Sequence, residues 1–212
     1  MRICRSNYDS APRFRHAGNT TNDSTMKRTP IIIDTREQKP LDFSPFDDVR
    51  VIRTKLWPGD YSLQAATRYF SVERKSVSDL VGTMLNGYAG IDATSPKRFD
   101  ATLLGMAGII RLGGIAFVLI EPDSPDKTSK EEIERGDFKS TLTPDVIFAF
   151  IHSIENNYHV PVKYADSRTH SAEIVREAAK LVESLKWAKR DIHKFNVKNK
   201  KEKQEPEPWE NW

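Results

Sequence analysis

Two short segments constrain this chain most: Asp60-Tyr61-Ser62-Leu63-Gln64 and Tyr69-Phe70-Ser71-Val72-Glu73-Arg74-Lys75, joined by Ala65-Ala66-Thr67-Arg68. Both alternate polar and apolar residues, the period of a strand with one buried face. A four-residue link is within hairpin range. Pairing Gln64 with Tyr69 sets Leu63 opposite Phe70 and Tyr61 opposite Val72, so all four share the core face. On the other face the same register sets Ser62 against Ser71 and Asp60 against Glu73. A slip of one residue destroys both the apolar and the carboxylate pairing.

The carboxylate pairing has a chemical consequence. Directly opposed residues hold their Cβ atoms roughly 4.5–5.5 Å apart. Two carboxylates that close repel unless a proton or a cation shares the site. Lys75 lies two residues beyond Glu73 and points the same way, while Arg74 points to the opposite face with its carbonyl near the metal position. The arrangement suits a metal-dependent phosphodiesterase, with the lysine facing a scissile phosphate. A plainer reading stands beside it: an exposed hairpin with a solvated Glu–Lys pair.

The surrounding motifs decide between these readings. Gly59-Asp60, then Glu73-Arg74-Lys75 and Asp79, resembles the GD…ERKxxxD signature of the XPF-type structure-specific DNA endonucleases, a branch of the PD-(D/E)XK nucleases. Asp34-Thr35-Arg36-Glu37, closing the apolar run Ile31-Ile32-Ile33, is similar to the family's DxRE element. The likeness runs from about Pro30 to Lys189. It implies an α/β, restriction-endonuclease-like PD-(D/E)XK core, a mixed central sheet flanked by helices. It also implies a DNA endonuclease using Mg²⁺, with Mn²⁺ as a substitute, on branched or flapped DNA. The rival is a catalytically silent nuclease fold that binds DNA or scaffolds an active partner. Position by position, the resemblance makes Asp60 and Glu73 the metal ligands and Lys75 the group that orients water and stabilises charge on the phosphate. Asp34 becomes a supporting acid and Asp79 the last motif carboxylate, while Arg36 and Arg74 serve the active-site surface or its support.

Several of these positions carry a second reading. Ser76-Val77-Ser78-Asp79 reads as an N-cap with an acidic residue at N3, opening a helix through Leu80, Val81 and Met84. Asp79 thus serves the helix, the chemistry, or both. The family's glycine-arginine pair after this helix is missing. Lys97 and Arg98 stand nearby, either as phosphate contacts at a helix start or as an ordinary solvated helix terminus. The DxRE element could also be a charged loop after a buried strand.

Composition narrows the remaining choices. The lone cysteine, Cys4, excludes an internal disulfide and a cysteine-rich zinc site. The five histidines show no ligand spacing, and no apolar run is long enough to span a membrane. Net charge is only +3, so any basic surface must be local. Residues 1–28, polar and without apolar periodicity, read as a disordered arm or as sequence before a true start at Met26. Residues 29–190 form the nuclease domain, and 191–212 a charged tail. The family's C-terminal helix-hairpin-helix domain is not expected in so few polar residues, which suggests a minimal phage- or bacterial-type enzyme. Localisation is then cytoplasmic, or nuclear if the source is eukaryotic. Partners implied are DNA, a second subunit through the late helices and a protein docking on the tail, with no membrane.

The element order reads strand (30–34), strand (49–55), strand (60–64), strand (69–75), helix (77–86), helix (96–111) and strand (115–120). A mobile polar loop over 122–140 follows. Thr143-Pro144 starts a helix to about Asn156. Val160 to Tyr164 is an edge strand, because Pro161 cannot donate to a central ladder. A last helix spans about Ser171 to Lys189.

Overall fold

The computed structural model describes residues 28–88 and 95–185, with backbone only for residues 87, 88 and 95–97. The chain alternates β1 (Thr29–Asp34), β2 (Val49–Thr54), β3 (Tyr61–Leu63), β4 (Phe70–Ser76), α1 (Val77–Tyr88), α2 (Ser95–Arg111) and β5 (Ile115–Glu121). It continues through α3 (Ser129–Arg135), α4 (Pro144–Tyr158), β6 (Val162–Tyr164) and α5 (Arg168–Ser184). The strands form one six-stranded mixed sheet in the order β2-β1-β3-β4-β5-β6. β1 runs parallel to β2, and β4, β5 and β6 are parallel to one another. β3 is antiparallel to both of its neighbours, β1 and β4.

That single reversed strand decides where chemistry can sit. The N-terminal end of β3 lies beside the C-terminal ends of β1, β4 and β5, so Asp34, Asp60, Glu73 to Lys75 and Glu121 converge on one edge. The register expected from the hairpin is present, with Tyr61 opposite Val72. β3 is shorter than expected: the chain turns just after Leu63, whose carbonyl accepts the Ala66 N–H at 2.9 Å.

Two apolar layers enclose the sheet. On one face Tyr61, Leu63, Phe70, Val72, Phe117 and Leu119 pack with the α5 residues Ala172, Val175, Ala179 and Val182. On the other, Ala116, Val118 and Ile120 pack with α1, α2, α3 and α4 through Leu80, Leu103, Met106, Ile133 and Ile147. The one-sided strand pattern therefore understates burial, since Ser62 and Ser71 are buried too. Their hydroxyls are satisfied locally: Ser62 Oγ donates to the Phe70 carbonyl at 2.6 Å and Ser71 Oγ to the Pro58 carbonyl at 2.7 Å.

Three helical expectations change. The polar stretch after β5 contains α3, opened by a closed capping box between Thr128 and Glu131. Ile133 is its only large buried apolar side chain, so no amphipathic period announces it. Thr143 does precede α4 with Pro144 in the first turn, but its hydroxyl makes no cap bond. α5 starts at Arg168, where Ser167 Oγ accepts the His170 N–H at 3.1 Å. The expected arm over 1–28, all but its last residue, and the tail over 191–212 lie outside the described residues.

Two local devices set the edge of the sheet. Gly59 has φ +81°, and a Cβ there would lie 2.4 Å from Ser71 Oγ and 2.8 Å from the Val72 carbonyl oxygen. Only glycine lets the turn press onto β4 immediately before Asp60. At the end of β1 the buried Asp34 carboxylate accepts the Arg36 N–H at 2.6 Å, Arg36 Nε at 2.9 Å and the Leu56 N–H at 2.6 Å. Burial raises the carboxyl's pKa, but the hydrogen bonds from Arg36 and Leu56 outweigh it and hold the value at about 2, down from 3.8.

Gly59→Ala should destabilise the domain by about 2–4 kcal/mol, left-handed strain plus overpacking, read as a lower urea midpoint at unchanged slope. Asp34 gives a pH-dependent counterpart. A carboxyl held lower when folded than unfolded stabilises the fold above the unfolded pKa. That contribution, on the order of 2 kcal/mol, disappears as pH falls from about 4 through about 2. Asp34→Asn should flatten this part of the acid-unfolding profile; an unchanged profile contradicts the assignment.

Candidate active site

The converging strand ends border an open cleft of about 680 Å³. Its floor is the hairpin. The Asp60 N–H donates to the Val72 carbonyl at 2.8 Å, and the Asp60 carboxylate accepts the Arg74 N–H at 2.9 Å. Asp60 is therefore tied to both residues flanking Glu73, so the two carboxylates sit side by side as the register requires. Burial, then the charge of Glu73, pushes the Asp60 carboxyl well above the usual range, with the Arg74 N–H opposing. Burial likewise raises Glu73, with Lys75 pulling it back. Two acids with elevated proton affinity in a cleft mark a site short of positive charge.

Lys75 supplies part of that charge. Its Nζ lies 3.7 Å from Glu73 Oε1 and 4.6 Å from the centre of the Phe99 ring. The ring restrains the ammonium on the cleft side, a cation–π contact that leaves its donors free. Arg98 is exposed and lines the same cleft. Arg36 lines it as well, half-exposed and clasped by Asp34. The Asp34 hydrogen bond raises the Arg36 pKa against burial, and the charges of Asp34, Asp60 and Glu73 add to it. The side chain of Lys97, expected with Arg98 as a DNA contact, lies outside the described residues.

Arg74 points to the opposite side of its strand and is buried. Its Nη2 donates to Glu37 Oε1 at 2.9 Å, and its Nη1 forms a short contact with Glu121 Oε1. Burial opposes the charged guanidinium, but Glu121 and Glu37 more than offset it and raise its pKa. Arg168, from the start of α5, adds a contact to Glu121 at 2.8 Å and holds the Lys39 and Pro40 carbonyls. This geometry assigns Arg74 to the support of the site rather than to its DNA-facing surface. Asp34, bonded to Arg36 and Leu56, likewise supports the edge of the cleft. Asp79 is exposed and lines the cleft, while its N–H donates to Ser76 Oγ at 3.2 Å. The Ser76 cap expected at the start of α1 is therefore present through the Asp79 N–H, and the Asp79 side chain stands at the cleft.

Glu37, Glu121 and Arg168 are the participants that motif reading left without a role. Glu37 stands inside the DxRE element, and Glu121 ends a strand. Arg168 has no local signature. Ion pairs across long stretches of sequence tie all three together through Arg74 and Glu121.

The donor set fits a hard divalent cation. Asp60 and Glu73 offer carboxylate oxygens, with no nitrogen or sulfur donor beside them, and their mutual repulsion would be relieved by positive charge. Among the described residues no group of three or more His, Cys, Asp or Glu is placed to hold a metal ion.

Comparison with known proteins places the fold and the family. No curated protein matches the sequence. Among solved structures, XPF from Aeropyrum pernix in complex with DNA superimposes with TM-score 0.51 at 20% identity, covering 73% of this chain and 65% of that one. XPF from Aeropyrum pernix alone gives 0.49 at 18% identity, covering 80% and 73%. The chain thus spans just under two thirds of the DNA-bound archaeal structure, and the likeness establishes a shared restriction-endonuclease-like fold. The ERCC4 domain matches residues 33–178, most of the chain and all of the cleft, and the protein belongs to the ERCC4 domain family.

Proposed function

We propose that the chain is a divalent-metal-dependent DNA endonuclease that hydrolyses phosphodiester bonds in branched, flapped or otherwise structured DNA, with Mg²⁺ as its ion and Mn²⁺ as a substitute. The observation that carries this reading is the partly buried Asp60–Glu73 pair with Lys75 beside it in an open cleft. A scaffold has no need of two juxtaposed acids whose charges disfavour folding. When bound, the metal would polarise the phosphate and lower the pKa of a water. The Asp60 and Glu73 carboxylates would hold it. Lys75 presents a fixed ammonium where negative charge develops on the phosphate and orients the attacking water. Arg36 and Arg98 meet phosphates along the strand, and Asp79 borders the path. Arg74 acts indirectly: its backbone N–H fixes Asp60 while its guanidinium is locked from behind. Net reaction is addition of water across one P–O bond, leaving a phosphate monoester and a hydroxyl.

Association of two subunits through the late helices belongs to the same proposal.

Flap, fork, nicked, linear duplex and RNA substrates should be assayed with Mg²⁺ or Mn²⁺. Branched DNA should be cut, and a chelator should stop the reaction until metal is restored. Glu73→Gln and Asp60→Asn should each lower the rate by more than the roughly 10–100-fold typical of losing an outer partner. They should also abolish Mn²⁺ binding measured by titration calorimetry. Lys75→Met should reduce kcat by roughly 10²–10³-fold while metal binding persists. Cleavage of no substrate would leave the silent scaffold as the better reading. Activity untouched by Glu73→Gln would remove the proposed site.

Glu121→Gln tests the support from behind. It should cost about 3–5 kcal/mol of stability, as loss of one partner from a buried ion pair does. The surviving folded protein should still bind Mn²⁺ but turn over more slowly.

A further inference from the structure

One side chain in the cleft has no part in the chemistry above. Trp57 lines the same cleft as Asp60, Glu73 and Lys75, three residues before Asp60 in the chain. It is 67% exposed, the most exposed large hydrophobic side chain among the described residues.

The indole is displayed on a fixed support. Immediately before it, the Leu56 N–H donates to Asp34 Oδ2 at 2.6 Å and the Leu56 carbonyl accepts Arg36 Nη2 at 2.8 Å. Immediately after it, the Pro58 carbonyl accepts Ser71 Oγ at 2.7 Å. The backbone is therefore anchored on both sides of residue 57. Beneath it lies Gly105 of α2, where a Cβ would come within 3.1 Å of Trp57 Cη2 and 3.0 Å of Pro58 Cβ and Cγ. The glycine lets one edge of the indole rest on the helix while most of the side chain stays open.

An exposed aromatic side chain on an anchored backbone, in one cleft with cationic Arg36 and Arg98, matches an unpaired nucleotide. Such a nucleotide offers a flat apolar base and an anionic phosphate. Within a continuous duplex both faces of a base are covered by its neighbours, so the indole gains nothing there. A base at a junction or flap is free to stack.

Resting on the nuclease reading, we propose that Trp57 is a stacking platform for an unpaired nucleobase beside the scissile phosphate. By this contact the enzyme distinguishes branched from continuous DNA.

The test separates binding from cleavage. In the full chain carrying Glu73→Gln, affinity for a flap and for a plain duplex is measured by fluorescence anisotropy, with and without Trp57→Ala. 2-Aminopurine at the unpaired junction nucleotide reports stacking through quenching of its emission. Trp57→Ala should weaken flap binding roughly tenfold to a hundredfold, with a much smaller change for duplex, and should abolish the quenching. Trp57→Phe should recover most of both signals, which separates a stacking role from damage to the loop. Equal losses on flap and duplex, or flap binding and quenching that survive Trp57→Ala, would overturn the inference while leaving a cleaving parent enzyme intact. A parent protein that neither cuts nor binds any DNA would remove the nuclease reading and the platform together.

Discussion

A guanidinium enclosed by two carboxylates holds this site in shape. Arg74 is buried between Glu37, from the loop after β1, and Glu121, from the end of β5, and Arg168 of α5 closes the group on its far side. Two positive and two negative charges make the cluster neutral, which is what permits it to be buried. A lysine would replace Arg74 poorly, because the two carboxylates are met by two separate nitrogens of one planar fork. The same residue offers its backbone N–H to Asp60. Strand alternation therefore puts a compensated ionic cluster on one side of β4 and the uncompensated Asp60–Glu73 pair on the other. The first fixes the backbone on which the second depends.

The hairpin was legible from sequence because two independent patterns demand one register. Tyr61 meets Val72 whether the apolar or the acidic residues are aligned. Ser76 was legible for a different reason: cap chemistry is local. The ionic cluster was not, since nothing periodic connects Glu37, Arg74, Glu121 and Arg168. The sidedness of Arg74 followed from alternation, but its partners did not. Ser62 and Ser71 misled because alternation measures polarity, whereas two small hydroxyls that bond to carbonyls can be buried at little cost. α3 escaped because its signal is one capping box and one buried isoleucine. Trp57 drew no notice because a tryptophan beside a glycine motif ordinarily reads as core.

The reversed strand explains how few residues the cleft needs. In an all-parallel sheet the residues of a hairpin could not face the strand ends on both sides of it. With β3 turned, a single tight turn delivers Asp60 next to Glu73, and Asp34 and Glu121 arrive from neighbouring strands. Helices α1 and α2 then line the cleft with Asp79 and Arg98, and the loop before β3 supplies Trp57.

The span of the Arg74 contacts bears on how the cleft assembles. Asp60, Glu73 and Lys75 lie within one hairpin, and that hairpin requires only local chain closure. Glu37 and Glu121 stand 37 and 47 residues from Arg74, and Arg168 reaches the Lys39 carbonyl across 129 residues. Loop closure over such distances comes late in assembly. A partly folded chain therefore carries Asp60, Glu73 and Lys75 without their alignment, and the cleft takes its final form only once β1, β5 and α5 have all docked. In this architecture the last contacts to form double as a check on the first.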